Sequence, residues 1–398
     1  MLTDTKFDFA KIFNPLDLDR FFQEYWEEKP LHLSRGIADY YQQLFSVDDV
    51  DRVLNYSQID YPTIRVVANQ QELLPAKYTQ ADQRLNLNQL YKAYHEDHTI
   101  VINGLNKFWH PLAEFCSDLH HLLHHTAVAN MYLSPPNSKG LHPHYDTHDV
   151  FVLQIEGSKN WEVHAPTQAA PLLNSFQPVI PEQQLGEAIH SVRLEAGDLL
   201  YIPRGYVHHA ATSDSFSLHL TIGIYPTQWI DLISQALLAI SQQDRRFRRA
   251  LPVQYLSSAE NYQTLKSGLQ ELTKTLAEQA NIDQVMELLS DRFIRESSPV
   301  PDGHFSQINR VEEITLATRV IKRANLPCRL IDKVYSVSLQ FPGNSINGPK
   351  SYELAMQYVA NTSKAFTVSS LPDSLAEKKK INLIRRLVRG GLLKITNN

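Results

Sequence analysis

Cysteine is scarce in this chain, with only Cys116 and Cys328 among 398 residues. Two cysteines so far apart exclude a disulfide scaffold and are typical of a reducing compartment. No apolar run approaches the length of a membrane span. Met1 to Lys11 also lack the basic flank and apolar run of a secretory signal. We therefore expect a cytoplasmic protein.

The chain also lacks an excess of charge of either sign. Its formal net charge is -5, and charged residues make up 20% of the composition. No overall basic field is present that would favour non-specific binding to nucleic acid or membrane. With 43% hydrophobic residues and no repeat or low-complexity tract, the chain is long enough for two or three globular domains.

Histidine and aspartate, in contrast, are concentrated between Leu141 and Phe151. In an extended chain successive side chains alternate faces, so one face would carry His142, His144, Asp146 and His148. Imidazole and carboxylate together supply two ligands of the facial triad used by non-haem Fe(II) oxygenases. The third ligand must come from a later segment.

Three later histidines are candidates for that third ligand: His208, His209 and His219. Alternation along a strand allows only one of the neighbours His208 and His209 to face inward. The residues alone leave this choice open. A second histidine group on a predicted helix from about Lys107 to His125 (His120, His121, His124 and His125) has no carboxylate or cysteine to complete it, so a solvated or packed helix face is favoured.

Short apolar runs separated by turn residues predict a mainly β domain in the region before Pro226. A helical stretch from Pro15 to Trp26 precedes it, and Glu156–Lys159 resembles a hairpin turn. The predicted strands are 127–133, 150–155, 160–164, 191–194, 199–202 and 216–225. This pattern is typical of a closed β-barrel or a double-sheet jelly roll of the cupin type, which we assign to residues 1–226.

Residues 227–300 are predicted to be helical, with apolar residues from Ile230 to Ile240 at helical spacing. A leucine-rich seam follows at heptad spacing, comprising Leu265, Leu269, Leu272, Leu276, Val285, Leu288 and Leu289. Such a seam attached to a complete barrel favours an interface between two copies over an intrachain core. We expect a homodimer.

Residues 301–398 read as a small α+β domain of winged-helix type. The predicted elements are helix 312–322, strand 335–341, helix 351–361, strand 365–368 and helix 374–388. The last helix carries Lys378, Lys379, Lys380, Arg385, Arg386 and Arg389. Because no aromatic residues are interleaved among them, a solvated cationic face is favoured over nucleic-acid contact.

Several ordered motifs resemble the JmjC-containing cupin family of ribosomal oxygenases. The resemblance runs through the whole chain and is carried by Phe21–Pro30, Asn130–Pro136, His144–Asp146, Leu153–Trp161 and Gly197–His208. It implies a double-stranded β-helix, a helical dimerisation segment and a winged-helix-like domain. A lone His-x-Asp would be a weak signal, whereas this series in this order is specific.

The resemblance also implies roles for individual residues. The iron ligands would be His144, Asp146 and His208, with His142 and His148 around them and His209 facing away. Lys159 would pair with the distal carboxylate of 2-oxoglutarate, because a buried cation offsets the desolvation of that carboxylate. His219 and Thr221 would lie on the co-substrate side, and Asn130 and Tyr132 would contact the substrate.

The implied reaction uses Fe(II), dioxygen and 2-oxoglutarate to hydroxylate a protein side chain, with a ribosomal protein as the expected substrate. Gly223 departs from the family, since histidine-hydroxylating relatives have serine there, so histidine and arginine both remain open as targets. Two other functions keep the same metal residues: the same chemistry on a small molecule or free amino acid, and a metal-binding cupin module without turnover.

Overall fold

The computed structural model describes residues 7, 9–68, 71–257 and 259–396, and residues 1–6 and 8 of the N-terminal stretch considered above lie outside them. The chain divides into two compact units, Met1–Pro226 and Thr227–Asn398. A search of the described helices finds none that is both long and apolar enough to span a membrane.

The α-helices described in the first unit precede most of its sheet. Three of them begin at residues whose side chains cap the helix: Asp17 accepts a hydrogen bond from the backbone of Arg20, Ser46 from that of Asp49, and Asn86 from that of Gln89. The helices are α1 (Leu18–Glu24), α2 (Val47–Tyr56), α3 (Leu87–His95) and α4 (His110–Leu123). Helix α4 contains His120 and His121, whereas His124 is its C-cap and His125 follows it. The metal-binding clusters found among the described residues include none of these four histidines.

The strands of the first unit pair antiparallel throughout the described part of the sheet. They are β1 (Leu31–Leu33), β2 (Ile64–Ala68), β3 (Gln71–Glu72), β4 (Thr99–Ile102), β5 (Thr126–Ser134), β6 (Asp149–Pro166), β7 (Ala188–Glu195), β8 (Leu199–Ile202), β9 (Tyr206–Ala211) and β10 (Ser217–Tyr225). Their order is β1-β8-β6-β10-β5-β4-β2-β3, and β7 and β9 both pair with β6. This is the antiparallel jelly-roll arrangement expected of a cupin fold.

The hairpin predicted at Glu156–Lys159 is wrong, because β6 runs through this stretch without a turn. Its first half pairs with β8 and β10, and its second half with β7 and β9. Gly157 lies between the halves with φ +65°, and a Cβ there would meet the Phe216 carbonyl oxygen at 1.9 Å. The glycine therefore serves a bend and a close strand approach, not a chain reversal.

The histidine-rich segment before β6 is irregular rather than part of a strand. Only His144 forms β-bridges there, to Val179 and His208. Burial nevertheless alternates as in an extended chain: Pro143, Tyr145 and Thr147 are buried, while the even-numbered residues between them are partly exposed. The predicted alternation is therefore present without regular pairing.

An aromatic core attaches the N-terminal helices to the sheet. The Phe21 ring lies 5.0 Å from Tyr201 and 5.7 Å from Phe151, and Phe13 packs on both Phe21 and Phe151. Each such aromatic pair contributes about 0.5–1.5 kcal/mol beyond the area that it buries. This core backs β6 and β8, so it supports the strands that carry the site.

The second unit combines helices with two small antiparallel sheets in its described residues. The helices are α5 (Trp229–Gln243), α6 (Ala259–Gln279), α7 (Ile282–Glu296), α8 (His304–Asn309), α9 (Glu353–Asn361) and α10 (Glu377–Arg389). The strands are β11 (Arg319–Lys322), β12 (Arg329–Asp332), β13 (Ser336–Phe341), β14 (Asn344–Pro349), β15 (Phe366–Thr367) and β16 (Leu393–Ile395). They form sheets of order β15-β11-β16 and β12-β13-β14.

The helix predicted over 312–322 is wrong. A short 3-10 helix at Val311–Glu313 is followed by β11, which pairs with β15 and β16. The apolar spacing fits a helix, but Val320 and Ile321 are β-branched and their branched side chains favour a strand. Pairing with β15 and β16, which lie far away in sequence, therefore decided the structure here.

Candidate metal and co-substrate site

Two backbone hydrogen bonds bring His144 and His208 together. The amide of His208 donates to the carbonyl of His144 at 2.8 Å, and the amide of His144 donates back at 3.3 Å. Their rings lie 4.6 Å apart, and Nε2 of His208 is 3.6 Å from Oδ2 of Asp146. The ligand atoms of His144, Asp146 and His208 all lie within 4.8 Å of one another. The structure thus brings the three predicted metal ligands into one group.

The protonation states of this group suit a divalent metal. Nδ1 of His144 lies 2.7 Å from the His142 carbonyl oxygen, and Nδ1 of His208 lies 3.0 Å from that of Tyr206. Carbonyl oxygens only accept, so each Nδ1 carries the proton and each Nε2 presents a lone pair. Burial, followed by the neighbouring His144, lowers the pKa of His208 to about 4.

Asp146 is ionised in this setting. Burial opposes its ionisation, but the imidazoles of His148, His208 and His144 together keep the pKa of its carboxyl below the usual value. Gln177 donates to its Oδ1 at 3.4 Å. Two imidazoles and a carboxylate form the donor set of a 2-His-1-carboxylate iron site, so the residues present fit Fe(II).

A cavity of about 350 Å³ lies over this group. All of the sequence-predicted site residues line it, namely Asn130, Tyr132, His144, Asp146, Lys159, His208, His219 and Thr221. The register of β5 and β10 explains part of this convergence, since His219 lies opposite Tyr132 and Thr221 opposite Asn130. Residues two apart on each strand share a face. The pairing therefore points all four into the same space.

Lys159 is a buried basic residue that lines the cavity. Its ammonium donates to Oγ of Ser134 at 3.0 Å, and Ser134 in turn accepts from Thr99 at 2.9 Å. Among the described residues no carboxylate acts on its charge, and burial lowers its pKa to about 7. A buried ammonium bonded only to a hydroxyl is suited to an anionic ligand that carries its own charge.

Two polar ring atoms in the same cavity have no hydrogen-bond partner among the described residues: Nδ1 of His219 and Nε1 of Trp161. The His219 ring stacks on Tyr132 at 4.9 Å and meets the Trp161 ring edge-on at 5.5 Å. Burial, followed by Lys159, keeps the pKa of His219 well below its usual value, so the ring is neutral. Unsatisfied buried polar atoms around Lys159 indicate a polar ligand.

Asn130 and Tyr132 form the wall of the cavity contributed by β5. Oδ1 of Asn130 accepts from the backbone amide of Gly104 at 2.9 Å, which orients the carboxamide. Burial, followed by Asp146, raises the pKa of Tyr132 to about 12, so its hydroxyl remains protonated. Both side chains can therefore donate hydrogen bonds to a polar substrate group.

The His148 ring occupies the space that a side chain at position 223 would fill. The His148 ring stacks on Tyr225 at 4.5 Å, and a Cβ at position 223 would lie 2.7 Å from its Cδ2. Contacts this short are not tolerated, so the absent side chain makes room for the ring. His148 lines the cavity, whereas His142 contributes only its carbonyl to the orientation of His144.

A buried ion pair between Asp149 and Arg204 lies directly after the metal-ligand segment and supports it. Asp149 accepts from Nη1 of Arg204 at 2.9 Å, from the Arg204 backbone at 3.1 Å and from Tyr201 at 3.2 Å. This network fixes the residue that follows the metal-ligand segment.

Sequence reasoning missed Arg204, Ser134, Trp161 and Gln177 as supporting residues. Ser134, Trp161 and Arg204 fall inside the motifs quoted above, which was the available signal.

His209 lies apart from the triad. Its Nε2 is 3.3 Å from Oε2 of Glu162 and 3.5 Å from Nε2 of His164. Successive strand residues face opposite sides of a sheet, and His208 and His209 follow this rule.

The sequence of this chain is similar to those of known proteins. The family model of the JmjC domain matches residues 107–232. Ribosomal oxygenase 2 of Mus musculus is 32% identical over 68% of this chain and 60% of the relative, and ribosomal oxygenase 1 of Danio rerio is 28% identical over 97% and 78%. The match thus spans about three fifths of the mouse relative's length.

A solved structure shares the fold across nearly the whole chain. The structure of Escherichia coli ribosomal oxygenase YcfD in complex with cobalt and 2-oxoglutarate superimposes with a TM-score of 0.54. It is 18% identical and covers 96% of this chain and 99% of its own. At that identity the likeness establishes the fold.

Proposed function

We propose that this chain, which matches the JmjC domain at residues 107–232 and is similar to the ribosomal oxygenases, is an Fe(II)- and 2-oxoglutarate-dependent dioxygenase that hydroxylates a protein side chain. One observation carries the proposal. The His144, Asp146 and His208 group shares a cavity with a buried lysine that has no carboxylate partner among the described residues. A metal site alone would not need that cation, whereas a dicarboxylate co-substrate does.

Each group of site residues has its own role in the proposed reaction. His144, Asp146 and His208 would hold the metal and leave coordination positions open. When bound, Fe(II) supplies activation of dioxygen coupled to oxidative decarboxylation of 2-oxoglutarate to succinate. Lys159 and Ser134 receive the far carboxylate of the co-substrate, and His219 and Thr221 lie on the same side. The apolar and aromatic lining excludes water from this charge pair and strengthens it.

The substrate is a polypeptide side chain, with a ribosomal protein as the first candidate because the relatives are named ribosomal oxygenases. Asn130 and Tyr132 orient it through hydrogen bonds from the β5 wall. His148 occupies the space beside Gly223 and also lines the cavity. The target residue is then one whose polar group accepts a hydrogen bond from an amide or a phenol.

The enzyme proposal is tested by succinate formation from 2-oxoglutarate in the presence of Fe(II) and dioxygen. We expect turnover without added substrate at a low rate, and its loss in His144→Ala. His142→Ala is the matched control, because this neighbouring histidine contributes only a carbonyl. If wild-type protein that binds the metal forms no succinate, the chain is a binding module instead.

The substrate proposal is tested by mass spectrometry of ribosomal peptides from cells with and without the gene. We expect one peptide that differs by a single oxygen, and its recovery when the wild-type gene, but not His144→Ala, is returned. Succinate formation combined with identical ribosomal peptides would favour a small-molecule substrate. The two measurements therefore separate the enzyme proposal from the substrate proposal.

For the second unit we propose a homodimer formed through the helices of residues 227–300. Helix α5 exposes a stripe of large apolar side chains at i, i+4 and i+8, comprising Trp229, Ile233 and Leu237. In the predicted leucine seam Leu269 is 69% exposed, while Val285 is buried. Apolar faces of this extent are typical of protein interfaces. A monomer in light scattering of the full-length chain would contradict the dimer.

We propose that residues 301–398 form a winged-helix-like domain that does not contact nucleic acid. The basic residues of α10 are largely engaged within their own unit: Lys380 pairs with Asp373 at 2.8 Å, Arg385 with Glu312 at 3.0 Å, and Arg386 donates to the Asn347 carbonyl at 2.6 Å. The cytoplasm is the proposed location, in keeping with the two free cysteines.

A further inference from the structure

A second group of metal-ligating side chains lies on β6 and β9, on the face opposite His208. Glu162 and His209 are direct partners in the β6–β9 register, and His164 follows Glu162 by two residues. Cross-strand partners and residues two apart share a face. The strand pairing alone therefore brings one carboxylate and two imidazoles together.

The three ligand atoms form a triangle of the size that a metal ion requires. Oε2 of Glu162 lies 3.3 Å from Nε2 of His209 and 3.9 Å from Nε2 of His164, and the two Nε2 atoms are 3.5 Å apart. A point about 2.1 Å from all three atoms exists, and zinc binds nitrogen and oxygen ligands at about 2.0–2.2 Å. The spacing of the three ligand atoms therefore suits a shared ion.

The orientation of His164 supports this assignment. Its Nδ1 lies 2.8 Å from the Gly186 carbonyl oxygen, so Nδ1 carries the proton and Nε2 presents its lone pair to Glu162 and His209. A backbone carbonyl behind a ligating imidazole is the usual arrangement of metal-binding histidines. His164 is buried, while Glu162 is 48% exposed and leaves a route for an ion to enter.

We propose that Glu162, His164 and His209 bind a divalent transition-metal ion of the zinc class, separate from the catalytic group. Two imidazoles and one carboxylate suit zinc, with a fourth position open to water. The site would be structural. Gly186 belongs to the 167–187 connection, which also supplies Gln177 to Asp146 and Gln168 to Tyr145. An ion here would anchor that connection beside the cavity.

The proposal is tested by cobalt stoichiometry of the full-length chain after chelation and equilibrium dialysis against micromolar Co(II). We expect two ions per chain in the wild type and one in His209→Ala. His144→Ala/Asp146→Ala should also retain one ion, and the combined variant should retain none. One ion in the wild type, lost in His144→Ala/Asp146→Ala, would overturn the proposal and leave an ordinary hydrogen-bonded cluster.

Two controls separate the site from adventitious binding and from misfolding. His121→Ala/His124→Ala, at the C-terminal end of helix α4, should leave the count at two. His190→Ala, on the neighbouring strand β7, should do the same. Co(II) should also slow proteolysis within 167–187 in His144→Ala/Asp146→Ala but not in the combined variant. Because this readout uses no turnover, it stands even if no succinate is formed.

Discussion

Replacing Lys159 by methionine should weaken co-substrate binding and stabilise the ligand-free protein. The substitution keeps an unbranched side chain of similar length and removes the ammonium that donates to Ser134 at 3.0 Å. A residue kept for structure would show the opposite stability change. The two measurements together thus distinguish a binding residue from a core residue.

The stability change follows from the pKa of Lys159, which burial lowers from 10.5 to about 7. A shift of one unit corresponds to about 1.4 kcal/mol, so charging this lysine in the folded state costs on the order of 5 kcal/mol. Structural relaxation and the lost hydrogen bond reduce the expected gain to roughly 2–4 kcal/mol. For a unit of this size that raises Tm by about 2–4 °C per kcal/mol.

The gain should depend on pH in a defined direction. Between about pH 7 and pH 10.5 the unfolded chain keeps the Lys159 proton while the folded chain releases it, so wild-type stability rises with pH in this window. The penalty is complete below pH 7 and fades toward pH 10.5. The Tm difference between Lys159→Met and wild type should therefore be larger at pH 6.5 than at pH 9.5.

Co-substrate affinity should fall in the same variant. Removing one partner of a buried, hydrogen-bonded charge pair costs about 2–5 kcal/mol. At about 1.4 kcal/mol per tenfold, the KM for 2-oxoglutarate should rise by roughly 30-fold to several thousand-fold. Succinate formation measures this, with the exposed Lys77→Met as the matched control. A lower Tm together with an unchanged KM would refute the assignment of Lys159.

Three further predictions concern the rest of the structure. Gly223→Ala should displace the His148 ring, whose Cδ2 would lie 2.7 Å from the new Cβ, and lower substrate hydroxylation by roughly tenfold or more while the KM for 2-oxoglutarate stays unchanged; a raised KM would contradict this. Asp149→Ala should leave the buried Arg204 with Glu27 as its remaining carboxylate partner and reduce the free energy of unfolding in urea by about 1–3 kcal/mol, and a loss below about 0.5 kcal/mol would argue against the ion pair with Asp149. Ile233→Glu should convert the proposed dimer to a monomer in light scattering, and an unchanged mass would place the interface elsewhere.

Local patterns were sufficient for much of this protein. The alternation of His144 and Asp146 predicted a shared face, and burial in the structure alternates in the same way although the segment is not a strand. The apolar run of β6 was predicted from its composition. Sequence patterns gave wrong predictions where one residue type is common in two kinds of local structure, as glycine is in turns and in bent strands. Gly157 was read as part of a turn, because sequence does not reveal that Phe216 lies against it.

The amino-acid sequence by itself determined the residue types of the site and the periodicities that place them on strands. Only the tertiary structure decided which residues meet. The choice between His208 and His209 depends on two backbone hydrogen bonds between His144 and His208, formed across 64 residues of chain. Lys159 is suited to bind an anionic co-substrate because the fold buries it beside Ser134. The Glu162, His164 and His209 group forms only because β6 pairs with β9. Such contacts are set by strand register over long separations, which no local pattern encodes.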